Sequence, residues 1–274
     1  MTRSHPFYLT VFFCLLGACQ AASAESQLRR AAQDEDTRAI QQPDVQEIRG
    51  GNPVVDPLPW YALFNGTREC SAVLVHADIA ITTASCVRNA NNEIDPPKAI
   101  RVGSLNRTSG GTVVNVTQAI VHPDYKAVTG PGNIAVLKLK SALTNTVALM
   151  NEDPLVPLSG TDVVFMTGLG KTDNARFPTS LQGLYTFYLE DCYSTVPFYD
   201  PIYHVCTQAN PSSFGGCEGD AGSPLVMPSS RTLVALHGFA DDVCEKQTVN
   251  GLSLIHISEP TRLRRISYAV FCLK

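Results

Sequence analysis

The chain has 274 residues, of which 44% are hydrophobic and 17% charged, and its formal net charge at pH 7 is -4. The apolar fraction is too high and the charged fraction too low for a disordered protein, and the length suffices for one large domain or two small ones. The acidic balance argues against nucleic acid as a partner, because proteins that bind nucleic acid present a basic patch.

The N-terminal segment predicts secretion. Arg3 supplies a positive start, residues 7–18 form an apolar run, and Ala22-Ser23-Ala24 is a small-residue cleavage site, so residues 1–24 are predicted to be a signal peptide. The run is too short to span a bilayer, so no membrane association is expected once the signal is removed. Residues 25–47 are polar and are predicted to form a propeptide or a flexible arm.

Between residues 48 and 251 the chain consists of short apolar runs separated by turn signals such as Asn65-Gly66 and Gly215-Gly216. The candidate strands are 60–64, 72–75, 79–83, 112–121, 134–139, 163–167, 184–188 and 233–237. Many short strands with this punctuation predict an all-β fold, either a sandwich or a barrel. Glycosylation sequons at Asn65, Asn106 and Asn115 predict surface positions in a secreted chain.

The C-terminal segment differs in composition from the rest of the chain. From Leu252 onward it is basic, and over its whole length it resembles the translation of a transposase-type sequencing adapter. Residues 252–274 are therefore predicted to be an adapter-derived tail outside the fold. The alternative is a genuine last strand, because residues 266–271 alternate as a strand does.

The chain has nine cysteines, an odd count that leaves at least one thiol unpaired. Cys14 and Cys19 leave with the signal peptide, and Cys272 lies in the tail. The oxidising compartment that secretion implies favours pairing of the others. Those others are Cys70, Cys86, Cys192, Cys206, Cys217 and Cys244, and their number alone leaves many connectivities open.

Four segments follow one another along the chain. They are Ile48-Arg49-Gly50-Gly51, Thr82-Thr83-Ala84-Ser85-Cys86, residues 133–139 (Asn-Ile-Ala-Val-Leu-Lys-Leu) and residues 217–225 (Cys-Glu-Gly-Asp-Ala-Gly-Ser-Pro-Leu). In this order they resemble the mature N-terminus and the segments around the catalytic His, Asp and Ser of the trypsin-like serine proteases. The resemblance covers about residues 48–251, and the joint occurrence of all four segments makes it specific.

This resemblance implies two antiparallel six-stranded β-barrels, about residues 48–155 and 156–251, with the site in the cleft between them. It also implies the disulfides Cys70–Cys86, Cys192–Cys206 and Cys217–Cys244. Members of the family continue with a final strand and a C-terminal helix. A domain that ends near residue 251 is therefore expected to lack that helix and the last strand of the second barrel.

The three catalytic positions that the resemblance implies hold residues of different chemistry. Ala221 stands at the nucleophile position and has only a methyl group. Ser85 stands at the base position, where its hydroxyl cannot accept a proton near neutral pH, and Asn133 stands at the orienting position and is uncharged. No covalent route to acyl transfer is left, so no catalytic residue is predicted in this chain.

Other site positions follow from the same resemblance. Gly219 and Ala221 are expected to present backbone N–H groups as an oxyanion-hole-like anion site. Gly215 is expected at the floor of the substrate pocket, which would then carry no charge. His237 and Gly238 are expected to line the cleft. From the residues themselves no metal site or cofactor is expected, because disulfides account for the cysteines and no acidic loop has calcium-binding spacing.

In this family, cleavage frees the amino group of the first Ile, which pairs with a buried Asp, and the candidates here are Ile48 and Asp220. Glu47 precedes Ile48, so an activator with trypsin-like specificity would not cut there. Losing one partner of a buried pair costs about 3–5 kcal/mol. In an uncut chain we therefore expect residues 217–223 to be mobile rather than buried.

Together these observations predict a secreted serine protease homologue without catalytic activity, in a binding, inhibitory or decoy role. The expected partner is another protein: a protease, an inhibitor or a hydrolase. One alternative is a trypsin-like serine endopeptidase with weak or unrecognised activity, in which Ser223 would be a displaced nucleophile. Another is a truncated transcript without a stable product.

Overall fold

The computed structural model describes residues 48, 50–66, 68–145, 147–150, 159, 160, 162–172, 176–190, 199, 200, 204–209, 215–239 and 250–254. For Leu149, Met150, Phe239 and residues 250–254 the structure defines only the backbone. The predicted signal peptide, the arm and residues 255–274 lie outside the described residues. A 3-10 helix over Ala84–Val87 is the only helix among the described residues, so the predicted all-β class is confirmed.

The described strands, in chain order, are β1 (Asn52–Pro53), β2 (Tyr61–Phe64), β3 (Ser71–His76), β4 (Ile79–Thr82), β5 (Ala99–Val102), β6 (Thr112–Val121), β7 (Ala135–Leu139), β8 (Leu149–Met150), β9 (Val163–Gly168), β10 (Gln182–Leu189), β11 (His204–Gln208), β12 (Pro224–Met227), β13 (Thr232–Phe239) and β14 (Asn250–Leu254). The strands that the sequence does not predict are β1, β5, β8, β11, β12 and β14. They are short, and β11 in particular has only two apolar residues, Val205 and Cys206.

Six strands close the first barrel in the order β2-β3-β4-β7-β6-β5. The strands β2 and β4 are buried along their whole length, as expected for short runs of apolar residues that face neighbours on both sides. The register places Val73 of β3 opposite Ile81 of β4, so that β-branched side chains pair across the strands. Closure leaves this barrel without a free edge.

The second barrel closes in the same way. Strand β9 pairs with both β10 and β12, and the pairings continue through β11, β14 and β13, which completes a ring of six strands. The short strands β1 and β8 pair with β10 and β13. The two six-stranded barrels that the resemblance implies are therefore present.

The second barrel differs from the expectation in its last strand. Strand β14 lies between β11 and β13, with Leu252 opposite Val205 on one side and His237 on the other. Residues 252–254, which the sequence predicts to lie in the tail, thus belong to the barrel. The physical reason is that β11 and β13 would each leave a row of unpaired N–H and C=O groups, which an extended segment within reach can satisfy.

One predicted disulfide lies wholly within the described residues. Cys70 and Cys86 are joined, which ties the start of β3 to the 3-10 helix. Cys206 and Cys217 each form a disulfide as well. Their implied partners, Cys192 and Cys244, lie outside the described residues.

Replacing Cys70 and Cys86 together by alanine is expected to lower the free energy of unfolding by about 3 kcal/mol. The disulfide spans 16 residues of sequence, and removing it gives the unfolded chain more conformational freedom. Urea unfolding of the oxidised parent and the double variant measures the difference. An unchanged midpoint with an unchanged slope would contradict the expectation.

Candidate functional site

Ser85 and Asn133 meet because of the way β4 and β7 pair. The antiparallel register sets Thr82, at the end of β4, opposite Ala135, at the start of β7. The neighbouring segments therefore lie side by side, and the Ser85 N–H donates to Asn133 Oδ1 at 3.1 Å. Asn133 Nδ2 donates to the carbonyl of Val128 at 2.9 Å, so this side chain, which is 1% exposed, is held at both ends.

Ala221 reaches the same place from the second barrel. Its carbonyl oxygen accepts the N–H of Ser71 at 2.8 Å and lies 3.5 Å from Sγ of Cys86, the residue after Ser85. Gly222 has a φ of 80°, and a Cβ there would lie 2.0 Å from the Ser71 carbonyl oxygen, so only glycine permits this approach. The three positions thus converge where the two barrels touch.

The side chains at this point are a hydroxyl, a carboxamide and a methyl group. The Ser85 hydroxyl donates to Thr83 Oγ1 at 3.1 Å. A carboxamide accepts no proton near neutral pH, and a methyl group is not a nucleophile. Ser223, which follows Ala221 by two residues, also carries a hydroxyl and is fully buried. These positions therefore offer no general base, and within the described residues the half-buried Ser85 hydroxyl has only a hydroxyl and a carboxamide beside it.

Asp220 anchors the turn that contains Ala221 in the interior. Its side chain is fully buried. Oδ1 accepts the N–H of Gly170 at 2.7 Å, and Oδ2 accepts the N–H of Cys217 at 2.9 Å. Burial raises the pKa of Asp220 to about 6, although these two N–H groups and the charge of Arg107 act to lower it.

The burial of Asp220 corrects the expectation for an uncut chain. Ile48 packs with Leu184 and Ala209 in a hydrophobic cluster and has a φ of 43°. Asp220 and Ser223 are nevertheless fully buried, so the turn is not displaced into solvent. The reason is that backbone N–H groups donate to both carboxylate oxygens, so the buried carboxyl group is hydrogen-bonded in the interior.

In the turn that contains Ala221, two backbone N–H groups have no acceptor among the described residues. The N–H groups of Asp220, Gly222 and Ser223 donate to backbone carbonyls, whereas no described group accepts the N–H of Gly219 or Ala221. Gly219 has a φ of 96°, a conformation that favours glycine. Two neighbouring N–H groups of this kind can hold an anion.

The expected pocket residues are all buried. Gly215 and Gly238 are buried, and His237 is 1% exposed. The His237 ring packs against Gly216, where a Cβ would lie 2.5 Å from its Cε1, and burial lowers its pKa to about 4. His237 is therefore a neutral interior side chain, not part of the cleft wall, because its ring packs against the buried Gly216.

The sequons occupy different environments. Asn65 and Asn115 are exposed, whereas Asn106 is half-buried, and its Oδ1 accepts the N–H groups of Thr108 and Ser109. Among the described residues, no group of three or more His, Cys, Asp and Glu side chains could hold a metal ion. No helix in the described part of the chain is long and apolar enough to cross a membrane.

Arg107 belongs to the site, although the sequence does not single it out. It extends from the β5–β6 loop of the first barrel toward the second. Its Nε donates to the Pro178 carbonyl at 2.9 Å, and its two Nη atoms donate to Glu69 Oε2 and to the Leu169 carbonyl. The guanidinium also lies 5.2 Å from the centroid of the Phe177 ring. Local sequence carries no signal for these contacts, because most partners are distant along the chain.

Substituting Gly170 by alanine is expected to cost about 1–3 kcal/mol of stability, because the new Cβ would lie 2.4 Å from Oδ2 of Asp220. Gly66→Ala is the matched control, since nothing lies within 4 Å of a Cβ there. Thermal and urea unfolding of both variants measures the difference. Equal stabilities of the two variants would show that Gly170 does not need this close approach.

Substituting Asp220 by asparagine is expected to change how stability depends on pH. The folded chain binds the Asp220 proton more tightly than the unfolded chain, whose pKa is near 3.8. The stability that this tighter proton binding contributes is fully present below pH 3.8 and is lost as pH rises through about 6. Over this range the free energy of unfolding of the parent is expected to decrease by about 3 kcal/mol relative to that of Asp220→Asn.

The depressed pKa of His237 acts in the opposite direction, since stability falls as the unfolded histidine gains a proton below pH 6.5. Both proteins keep His237, so its effect cancels in the difference between parent and Asp220→Asn. Urea unfolding from pH 3.5 to 7.5 measures that difference. A difference that stays constant over this range would show that the folded Asp220 has an ordinary pKa.

Comparisons with known proteins agree with this geometry. The family model described as Trypsin matches residues 48–255. The chain is 29% identical to Trypsin iota of Drosophila melanogaster over 208 residues, which cover 71% of this chain and 80% of that protein. It is 26% identical to Vitellin-degrading protease of Bombyx mori over 196 residues (67% and 72%). It is 25% identical to Kallikrein-4 of Homo sapiens over 216 residues (76% and 82%). With its two closed barrels and a family match over most of its length, the chain belongs to the trypsin family of serine proteases and their homologues.

Proposed function

We propose that this chain is a secreted member of the trypsin family that does not catalyse peptide hydrolysis and acts by binding another protein. The observation that carries the proposal is the convergence of Ser85, Asn133 and Ala221 at the contact between the barrels. At this point the family mechanism needs a base, a carboxylate and a nucleophile. Ser85 is not a base, Asn133 has no carboxylate and Ala221 has no nucleophilic group, so each position lacks the group that the mechanism requires there.

The surroundings of Ala221 support the absence of a replacement nucleophile. Ser223 is the nearest hydroxyl along the chain, but it is fully buried, and the Tyr61 hydroxyl lies next to it in the interior. His237 is also buried, and its depressed pKa makes it a poor base at neutral pH. A hydroxyl that substrate cannot reach does not form an acyl intermediate.

A binding role is supported by what the fold retains. The outer face of the β9–β10 pair carries Val163 opposite Phe187 and Phe165 opposite Tyr185. Tyr185 is 59% exposed and Phe187 43%, so aromatic surface that could contact a protein faces solvent. The expected partner is a protease, an inhibitor or a hydrolase. Secretion is supported by the N-terminal signal pattern, by the sequons and by the Cys70–Cys86 disulfide.

A fluorophosphonate probe tests the absence of catalysis, because it labels a serine only when an adjacent base activates it. We expect no labelling of the purified chain under conditions in which active trypsin is labelled to completion. Ser223→Ala is the matched control and should behave as the parent does. Labelling of the parent that disappears in Ser223→Ala would identify a displaced nucleophile and overturn the proposal.

A further inference from the structure

One peptide unit lies between a cation of the first barrel and a carboxylate of the second. The carbonyl of Leu169 accepts a hydrogen bond from Nη2 of Arg107. The N–H of the same peptide, that of Gly170, donates to Oδ1 of Asp220 at 2.7 Å. The peptide dipole is thus aligned between the two charges, with its negative end toward the guanidinium and its positive end toward the carboxylate.

The guanidinium of Arg107 is fixed by several contacts at once. It also donates to Glu69 Oε2 and to the Pro178 carbonyl, and it lies against the ring of Phe177. Its side chain is only 17% exposed, so solvent screens its charge weakly. A cation held in this way in a poorly screened site can act on a charge two hydrogen bonds away.

Asp220 needs such a positive charge when it is ionised. In the chain as it stands Ile48 is joined to Glu47, so its backbone nitrogen is an amide without formal charge. The two N–H groups bonded to Asp220 are neutral dipoles. Arg107 is the cation whose charge favours the ionised form of Asp220 and lowers its pKa against the effect of burial.

The other titratable groups described near Asp220 do not supply this positive charge. Tyr61 faces it from β2 and is held neutral by burial, which raises its pKa. Glu69 has the wrong sign and is paired with Arg107. Lys171 is engaged by Glu218 at 2.5 Å, near the surface. From β13, His237 is uncharged at neutral pH, because burial lowers its pKa to about 4.

We propose that Arg107 is a positioning residue which, through the Leu169–Gly170 peptide, holds Asp220 and with it the turn of Gly219 and Ala221 in place while the chain is uncut before Ile48. The amide pair of this turn is then formed without proteolytic activation. A binding partner that uses these N–H groups would find them in the intact chain. The proposal does not depend on the absence of catalysis, since it concerns only how the turn is held.

The test is to titrate Asp220 by NMR in protein labelled with 13C at the aspartate carboxyl groups, with Asp220→Asn to assign its signal. Arg107→Met should raise the titration midpoint by about one pH unit, because the ionised form loses its cation. Lys171→Met is the matched control: it removes a cation 5.6 Å from the same Phe177 ring but leaves the Leu169–Gly170 peptide untouched. Its midpoint should equal that of the parent.

Arg107→Lys keeps the charge but cannot make all three hydrogen bonds, so we expect a smaller upward shift. This variant also keeps the proposal testable if Arg107→Met does not fold. A residue that merely packed would lower stability and leave the midpoint of Asp220 unchanged. Parent-like midpoints in the Arg107 variants, or an equal shift in Lys171→Met, would overturn the proposal. This test does not use fluorophosphonate labelling. The proposal for Arg107 can therefore fail while the proposed function stands, and the reverse is also true.

Discussion

The burial of the Asp220 carboxyl group between the two barrels constrains the rest of the site. A carboxylate in an apolar interior is costly unless it is hydrogen-bonded or paired. This chain satisfies it with the N–H groups of Gly170 and Cys217. Those bonds fix the turn in which Ala221 lies, and Gly168 and Gly170 are the residues whose lack of a Cβ lets the backbone wrap the carboxyl group.

The same constraint couples the two barrels. The turn of Asp220 contacts the first barrel through the Ala221 carbonyl and the Ser71 N–H. A second hydrogen bond joins the barrels, in which Arg107 of the first barrel donates to the Leu169 carbonyl of the second. The cleft is thus held by hydrogen bonds that need neither a catalytic serine nor a histidine. This explains physically how the scaffold remains closed and packed with Ser85, Asn133 and Ala221 in place.

Stability and chemistry are therefore separable in this fold. The catalytic side chains of an acyl-transfer site contribute through proton transfer and charge stabilisation, not through packing. Small residues at those positions leave the barrels intact, and the barrels keep their disulfides and their exposed aromatic face on β9 and β10. The proposed binding role rests on two features of this scaffold, an exposed aromatic surface and a pair of backbone N–H groups.

Much of the architecture could be predicted from residues alone. Short β-branched runs with Gly and Pro between them determined the all-β class, and four ordered segments determined the family and the location of Ser85, Asn133 and Ala221. The sequence could not place the short strands β1, β5, β8, β11, β12 and β14, because a short strand is specified by the free hydrogen-bonding groups of its neighbours more than by its own residues.

The environment of individual side chains was decided by the tertiary structure. The resemblance places His237 in the cleft wall, but the side chain is buried, because its ring packs against Gly216 in the interior. Arg107 is unremarkable along the chain, yet its contacts include residues as distant in sequence as Leu169 and Pro178. By itself the sequence determined the fold family and which chemical groups are present. Only the folded chain decided which charges meet and which are buried, since both depend on contacts between segments far apart in sequence.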